Sequence, residues 1–129
     1  MTPQPTAIRV LVADDEPDLR LLLRMQLRRH PSIEFAGEAA DGAEAVEMAV
    51  REGVDAVVMD LLMPGTSGFE AIGRLREEAP SIGIVAYTAV AGDFVREEIA
   101  RQGVELVLKS GNVEPLVAAL LRSVSQTAG

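Results

Sequence analysis

Residues 54–65 read VDAVVMDLLMPG, a short apolar run over 54–59 that ends directly at an acid, Asp60. Apolar residues on consecutive positions, many of them β-branched, are typical of a strand that is buried on both faces of its sheet. Strands of that kind belong to parallel sheets that are covered by helices. The stretch therefore predicts an α/β fold in which an aspartate follows a buried strand.

Four further runs of the same kind occur along the 129-residue chain. They cover residues 8–13, 33–36, 82–87 and 104–108. All five runs are predicted to be strands buried on both faces of one sheet.

Helix signals separate these runs. Pro17 suits a first helical turn, and Asp41 with Glu44, like Ser67 with Glu70, forms a capping box. Gly53 and Gly103 mark helix ends, and Asn112 caps a last helix. The apolar stripes are Leu19, Leu22, Leu23 and Leu27 in the first helix and Val113, Leu116, Val117, Leu120 and Val124 in the last.

Five strands that alternate with five helices predict one architecture. Right-handed crossovers make the sheet parallel and place helices on both faces. We predict a doubly wound (βα)5 domain over residues 7–125, between a flexible N-terminal tail, 1–6, and a C-terminal tail, 126–129.

The composition excludes several functions. A formal net charge of −8 argues against non-specific binding of nucleic acids or anionic membranes. The absence of Cys excludes disulfides and thiolate chemistry. The chain shows neither a signal peptide nor an apolar run of membrane-spanning length, so we expect a cytoplasmic protein.

Polar residues gather at one edge of the predicted sheet, because ligands of open parallel sheets bind at the carboxyl ends of the strands. Asp14 and Asp15 follow the first strand and Asp60 follows the third. Thr88 ends the fourth strand, and Lys109, the only lysine, ends the fifth. Three acids, a hydroxyl and an amine are therefore expected to lie close together.

Each of these residues has a simpler explanation when it is taken alone. An aspartate at a strand end is commonly a turn former, and threonine is a favoured strand residue. Convergence outweighs these explanations, because three neighbouring carboxylates repel unless a cation lies among them. An oxygen-rich site without Cys suits Mg²⁺, for which Mn²⁺ could substitute. His30, in a basic loop, is expected to be a solvated residue and not a ligand.

A carboxylate beside such a cation can act as a nucleophile toward a phosphoryl group and form an aspartyl phosphate. Phosphoryl transfer needs mainly positioning and charge neutralisation. The cation and Lys109 would cover the phosphoryl oxygens, and the Thr88 hydroxyl would donate a hydrogen bond to one of them.

At these residues the sequence closely resembles the receiver domain of two-component response regulators, over about residues 8–124. Four motifs carry the resemblance: VADDEP at 12–17, MDLLMPG at 59–65 with Gly68 beyond, YTA at 87–89 and LKS at 108–110. Each is weak alone, whereas all four in order are highly specific. The resemblance implies a flavodoxin-like fold with strand order 2-1-3-4-5.

The resemblance also implies the role of each site residue. Asp60 would be the phosphoacceptor, and Thr88 and Lys109 would sense the phosphoryl oxygens. The Mg²⁺ ligands would be Asp15, Asp60 and the backbone carbonyl of Leu62, with Asp14 acting largely through water.

The same resemblance implies partners. The phosphoryl donor would be a sensor histidine kinase or a phosphotransfer protein, and the domain would be a signalling switch rather than an enzyme. The surface of helix four, strand five and helix five would rearrange and bind a second copy or an output partner. The Lys-Ser-Gly ending, 109–111, is similar to that of receivers attached to helix-turn-helix domains. This domain itself is expected to bind neither nucleic acid nor membrane.

Three departures from the family pattern bear on mechanism. Leu106 stands where the family often has a switching aromatic, and Tyr87 is expected to point to the opposite face from Thr88. The pair at 109–110 is Lys-Ser where the family often has Lys-Pro, so no cis bond is expected. Leu62 and Val90 are apolar where fast-hydrolysing members are polar, which predicts slow dephosphorylation.

Two other functions are alternatives. A Mg²⁺-dependent phosphatase of the haloacid dehalogenase type places two acids two residues apart after strand one, whereas here the pair is adjacent and Asp60 follows strand three. A non-phosphorylated pseudo-receiver, or a flavin binder on the same scaffold, is the second. The acids at 14–16 would repel a flavin phosphate.

Overall fold

Five parallel strands form one sheet in the order β2-β1-β3-β4-β5. The computed structural model describes residues 7–89 and 91–127, with side chains only as far as residue 125. The strands are β1 (Ile8–Ala13), β2 (Ile33–Ala39), β3 (Ala56–Met59), β4 (Gly83–Thr88) and β5 (Glu105–Leu108). A helix follows each strand: α1 (Pro17–Leu27), α2 (Gly42–Glu52), α3 (Gly68–Glu78), α4 (Asp93–Arg101) and α5 (Glu114–Thr127). The predicted fold class and strand order are confirmed.

Some boundaries differ from the predicted ones. β2 continues to Ala39, three residues beyond its predicted end, and β3 begins at Ala56 rather than at residue 54. α5 runs to Thr127, two residues into the predicted C-terminal tail. The predicted N-terminal tail, 1–6, lies outside the described residues.

The sheet separates two apolar layers because alternate residues of each strand point to opposite faces. Leu11 of β1 joins the layer beneath α2, α3 and α4, with Met59, Ile72 and Ile99. Val10 joins the layer beneath α1 and α5. Each fully buried aliphatic side chain of this kind contributes about 1.5–3 kcal/mol to folding.

The edge strand β5 corrects one prediction. Glu105 is exposed and Leu108 is 41% exposed, so β5 is not buried on both faces. β5 pairs with β4 alone and therefore lies at the margin of both helical layers. Its apolar sequence run did not distinguish an edge strand from a central one.

The helix-end signals hold where side chains supply the cap. Asp41 accepts the Glu44 N–H at 2.8 Å, and Ser67 accepts the Glu70 N–H at 3.3 Å. The Asn112 side chain accepts the N–H of Glu114 at 3.1 Å. Gly53 and Gly103 adopt the left-handed conformation, with φ of 61° and 72°, which glycine adopts without steric cost.

One residue of the predicted stripe of α1 is misplaced. Leu23 and Leu27 are buried and Leu19 is half-buried, but Leu22 is 45% exposed. Leu22 lies about 100° around the helix from Leu23, outside the narrow face that meets the sheet.

Within the described ranges, no helix combines the length and apolarity needed to cross a bilayer.

Candidate functional site

The carboxyl edge of the sheet carries the acidic residues that the sequence indicated. Asp14 and Asp15 follow β1, and Asp60 follows β3. One carboxylate oxygen from each of the three lies within 4.8 Å of the others. Asp14 and Asp60 are buried, whereas Asp15 is the more exposed member. The backbone therefore brings together three acids that are separated along the chain.

Strand register fixes the two buried acids side by side. Ala13 pairs with Met59, and the Asp60 N–H donates to the carbonyl of Ala13 at 3.0 Å. The Asp14 N–H donates to the carbonyl of Ala39 at 3.0 Å. These ladder bonds hold the backbone of both acids, so their spacing does not depend on a loop.

Lys109 follows β5 at the same carboxyl edge of the sheet. Its Nζ lies 2.8 Å from Asp14 Oδ2 and 3.4 Å from Asp60 Oδ2. Its backbone N–H donates to the carbonyl of Thr88 at 2.8 Å, and Thr88 is itself buried at the end of β4. The structure thus brings Lys109 to two of the three carboxylates, and the backbone of Thr88 is bonded to that of Lys109.

Asp14 is held at both carboxylate oxygens. Oδ1 accepts the N–H of Glu16 at 2.8 Å, while Oδ2 accepts from Lys109. Asp60 is held less closely: Oδ1 accepts the N–H of Leu62 at 3.4 Å, and its distance to Lys109 is also 3.4 Å. The two buried acids therefore differ in how firmly they are engaged.

Electrostatics separate these groups further. Burial raises the pKa of Asp60; the Lys109 charge lowers it, the Asp14 charge raises it, and the pKa stays above its ordinary value. Burial opposes the charge of Lys109, but its hydrogen bond to Asp14 and the charge of Asp60 raise the pKa of Lys109. At Asp60 burial outweighs the charge of the lysine, whereas at Lys109 the contacts with the two carboxylates outweigh burial. This difference agrees with the distances, because Lys109 lies closer to Asp14 than to Asp60.

The donor set fits a hard divalent cation. The cluster brings three carboxylates within 4.8 Å of one another, and Lys109 is the ammonium that contacts Asp14 and Asp60. Carboxylate oxygens with room for water are the ligands that Mg²⁺ prefers. The backbone N–H of Leu62 donates to Asp60. That the backbone carbonyl of Leu62 binds the cation stays a prediction.

Gly68 permits α3 to begin against the site. A Cβ at this position would lie 2.0 Å from the carbonyl oxygen of Asp60, and the Gly68 N–H donates to Leu61 at 3.0 Å. Gly65, with φ of 74°, provides the left-handed turn before it. The glycines of this loop therefore set the backbone of the acid itself.

Sequence patterns did not indicate Arg20 and Glu38. Arg20 Nη1 donates to the carbonyl of Asp14 at 2.5 Å, and its Nε donates to Glu38 at 3.0 Å. Arg20 is one turn inside α1 and Glu38 lies near the end of β2, which was predicted to be shorter. Their contact follows from the register of β2 beside β1, which no local signal encodes.

His30 corrects another expectation. Its side chain is 23% exposed, and Nε2 lies 3.2 Å from Glu114 at the start of α5. It is therefore a partly buried residue between α1 and α5 and not a solvated loop residue. The acidic cluster of Asp14, Asp15 and Asp60 does not include it.

Tyr87 and Leu106 lie on opposite faces of the sheet. Tyr87, 4% exposed, packs in the layer beneath α1 and α5, and so points away from the face of Thr88, as predicted. Leu106 is half-buried against the opposite layer and pairs with Ala86. No described peptide bond is cis, including that between Lys109 and Ser110.

Comparison with known families gives one match over most of the chain. The model of the response regulator receiver domain matches residues 10–121. Among curated proteins, the nitrate/nitrite response regulator protein NarP of Escherichia coli is 35% identical over 121 residues, which are 92% of this chain and 55% of NarP. The transcriptional regulatory protein LiaR of Bacillus subtilis is 34% identical over 88% of this chain and 54% of LiaR.

Another curated relative matches this chain over a smaller share of its own length. Protein-glutamate methylesterase/protein-glutamine glutaminase 4 of Myxococcus xanthus is 42% identical over 67% of this chain but only 25% of its own length. The chain thus spans about half or less of the curated relatives it matches.

Solved structures agree with the fold. The response regulator domain of CheB from Thermotoga maritima has a TM-score of 0.83 and 27% identity, covering 92% of this chain and 97% of that one. TrrA from the same organism, solved in complex with Mg(2+)-BeF, has a TM-score of 0.77 and 32% identity, covering 89% of this chain and 97% of that one.

Proposed function

The chain belongs to the response regulator receiver domain family, and from that premise we propose that it accepts a phosphoryl group on Asp60 from a phosphohistidine donor. The observation that carries the proposal is the unequal engagement of the two buried acids. Asp14 has a partner at 2.8 Å on each oxygen, whereas both contacts of Asp60 are 3.4 Å long. Asp14 is suited to holding its neighbours and Asp60 to attacking.

The cation site is part of the proposal. Asp15, Asp60 and the Leu62 backbone carbonyl would hold Mg²⁺, or Mn²⁺ in its place, with Asp14 acting largely through water. The ion would supply charge neutralisation for the phosphoryl oxygens. The support is the cluster of three carboxylates with one lysine.

The proposed step exchanges one bond to phosphorus for another. An oxygen of Asp60 forms the new O–P bond as the N–P bond of the phosphohistidine breaks, and the released imidazole takes up a proton. Lys109 places an ammonium beside Asp60, where it would neutralise charge on the phosphoryl oxygens, and the Thr88 hydroxyl would donate to one of those oxygens. Positioning and charge neutralisation are what this transfer requires.

We propose a sensor histidine kinase or a phosphotransfer protein as the donor, and a signalling rather than an enzymatic role. The location would be the cytoplasm, where such kinases draw on ATP. The surface of α4, β5 and α5 would pass the signal to a second copy or an output partner. Exposed apolar side chains support that surface: Phe94 is 77% exposed, Leu108 41% and Leu121 38%.

Phosphorylation is tested by incubating the chain with Mg²⁺ and a small phosphoryl donor such as acetyl phosphate. We expect the intact mass to gain one phosphoryl group and Asp60→Asn to gain none. Labelling that survives Asp60→Asn, or no labelling of the wild type, would favour the pseudo-receiver alternative. Sustained release of phosphate from phosphate esters would favour the phosphatase alternative.

A further inference from the structure

The backbone that joins the two adjacent acids leaves the sheet as soon as β1 ends. The Asp14 N–H still donates to the carbonyl of Ala39 at 3.0 Å, but the Asp14 carbonyl lies past Ala13, the last paired residue of β1. That carbonyl belongs to the peptide group between Asp14 and Asp15. Asp14 is 1% exposed, and a buried carbonyl needs a hydrogen-bond partner. The place of Asp15 therefore depends on the group that binds this carbonyl.

The partner of the Asp14 carbonyl is Arg20, in the first half of α1. Its Nη1 donates to this carbonyl at 2.5 Å, from a side chain that is 14% exposed. The backbone N–H of Arg20 donates to the carbonyl of Glu16 at 3.1 Å, and the Glu16 N–H donates to Asp14 Oδ1 at 2.8 Å. The start of α1 thus binds Asp14 at its backbone and at its side chain.

Glu38 holds the guanidinium of Arg20 from the other side. Its Oε1 accepts the Nε–H of Arg20 at 3.0 Å, and its Oε2 lies 3.5 Å from Nη1 of Arg24. A guanidinium is planar, so a partner at Nε and a second partner at Nη1 fix its orientation. Glu38 therefore keeps Arg20 aimed at the Asp14 carbonyl and also offsets its charge.

A bulge in β2 brings Glu38 to this position. Val10 of β1 pairs with Phe35, whereas the next residue of β1 pairs with Gly37, so one residue of β2 between them has no partner. Side chains alternate between the faces of a sheet, and an extra residue moves all later side chains to the other face. Glu38 then pairs with Val12, whose side chain lies beneath α1 and α5. The bulge thus turns Glu38 toward α1.

We propose that Arg20 is a positioning residue of the cation site: it fixes the peptide group between Asp14 and Asp15 and so sets the place of the Asp15 carboxylate. This inference rests on the proposed function, in which Asp15 and Asp60 bind Mg²⁺. Arg20 acts through the backbone and does not itself contact the cation.

The charge of Arg20 and its contact with the backbone predict opposite effects on cation affinity. A positive charge near the site repels a divalent cation, so removal of the charge by itself would strengthen Mg²⁺ binding. Loss of the contact would instead release the Asp15 carboxylate from its place and weaken Mg²⁺ binding. The direction of the change therefore separates positioning from electrostatics.

The test uses two substitutions of Arg20 and a matched control. Arg20→Met removes the charge and the donors but keeps an unbranched side chain, and Arg20→Lys keeps the charge without the planar fork. The control is Arg122→Met. Arg122 of α5 donates to Glu105 from Nε at 3.0 Å and from Nη2 at 2.6 Å, and Glu105 begins β5 at the sheet edge opposite the acids. Both Met variants lose one pair of an arginine with a glutamate, but only one of them loses a contact with the acids.

Three measurements are made on each protein. For Arg20→Met we expect the Mg²⁺ dissociation constant, from titration calorimetry, to rise about tenfold, with a smaller rise for Arg20→Lys. The maximal rate of phosphorylation by acetyl phosphate at saturating Mg²⁺ should fall by less than about threefold, because the strand ladder holds the backbone of Asp60. Without Mg²⁺, the Glu16 amide of Arg20→Met should exchange its hydrogen about tenfold faster. Arg122→Met should keep the wild-type value of all three.

The outcomes distinguish this inference from the proposed function. A Mg²⁺ dissociation constant that stays the same or falls in Arg20→Met would overturn the positioning role, and so would a wild-type value in Arg20→Lys, which serves alone if Arg20→Met does not fold. A wild-type chain that binds no Mg²⁺ would contradict the proposed cation site, and the positioning role with it. A chain that shows the expected Mg²⁺ affinities but gains no phosphoryl group would contradict phosphorylation at Asp60 and leave the role of Arg20 intact.

Discussion

Lys109 Nζ lies 2.8 Å from Asp14 and 3.4 Å from Asp60, although both carboxylates are buried beside it. The shorter contact ties the lysine to the acid that also accepts a backbone N–H from Glu16. Asp60 is left with two longer contacts. The geometry therefore keeps the ammonium close to the site while the proposed nucleophile stays less engaged.

Removal of the ammonium should destabilise the fold. In Lys109→Gln the buried carboxylate of Asp14 loses its short partner, and the cluster of three acids loses the ammonium beside it. We expect the free energy of unfolding, measured by urea denaturation with EDTA present, to fall by about 1–3 kcal/mol. Arg101→Gln, which removes an exposed partner of Glu98, is the control and should change it by less than about 1 kcal/mol. Equal effects of the two substitutions would contradict the prediction.

Neutralising Asp60 should have the opposite effect on stability. Its pKa is raised in the folded state, chiefly by burial. An acid of this kind contributes stability below its unfolded pKa, near 4, and loses that contribution as the pH rises through the folded pKa. Without divalent cations, Asp60→Asn should therefore raise the melting temperature at pH 7 by about 2–6 °C and leave it almost unchanged near pH 3.

The control for this pH dependence is Glu77→Gln, which removes one negative charge from an exposed position of α3. It should leave the melting curves at both pH values close to those of the wild type. A melting temperature of Asp60→Asn that falls at pH 7 would show that the pairing of Asp60 with Lys109 outweighs burial.

Gly68 should tolerate no side chain. A Cβ there would lie 2.0 Å from the carbonyl oxygen of Asp60, so Gly68→Ala must displace the backbone of the acid. We expect a loss of about 1–3 kcal/mol in the free energy of unfolding together with slower phosphorylation. Gly73→Ala, in the same helix with no atom within 4 Å of the new Cβ, should instead stabilise by about 0.5–1 kcal/mol. The reverse order of the two variants would refute this account.

Binding of Mg²⁺ should stabilise the folded chain. A ligand at a hundredfold excess over its dissociation constant adds about 2.7 kcal/mol to the free energy of unfolding. We expect a rise of that size, reversed by EDTA, because the cation relieves the repulsion within the cluster. Asp15→Asn should weaken the response and raise the Mg²⁺ concentration needed, whereas Glu77→Gln should respond like the wild type. An unchanged melting curve at high Mg²⁺ would argue against the site.

The phosphorylated chain should lose its phosphoryl group slowly. Leu62 is 70% exposed beside Asp60 and offers no polar atom to orient an attacking water; Val90, the other apolar position, lies outside the described residues. We expect the half-life of the phosphorylated chain, measured as the loss of the phosphoryl mass, to be well beyond seconds. Leu62→Asn should shorten it, and Leu121→Asn, a similar change on α5, should not. A wild-type half-life of seconds would refute the prediction.

The sequence was informative wherever structure is encoded locally. The rule that ligands gather at strand ends located Asp14, Asp15 and Asp60, because an acid that directly follows a buried strand has only one edge at which to lie. The caps at Asp41 and Asn112 were found in the same way, from residues a few positions apart.

Contacts that depend on the packing of distant elements were not predictable. The pair of His30 with Glu114 joins the loop after α1 to the start of α5, and the pair of Arg20 with Glu38 joins α1 to β2. Leu22 and Leu108 are as apolar as their buried neighbours, yet both are exposed. Their positions follow from which face each element presents after the sheet has formed.

The place of Tyr87 has a spectroscopic consequence. The chain contains one tyrosine and no tryptophan, so its fluorescence, when excited at wavelengths that phenylalanine does not absorb, arises from that tyrosine. That tyrosine is buried in β4, directly before Thr88. Its emission therefore reports on one known location, beside a residue of the candidate site, without an added label.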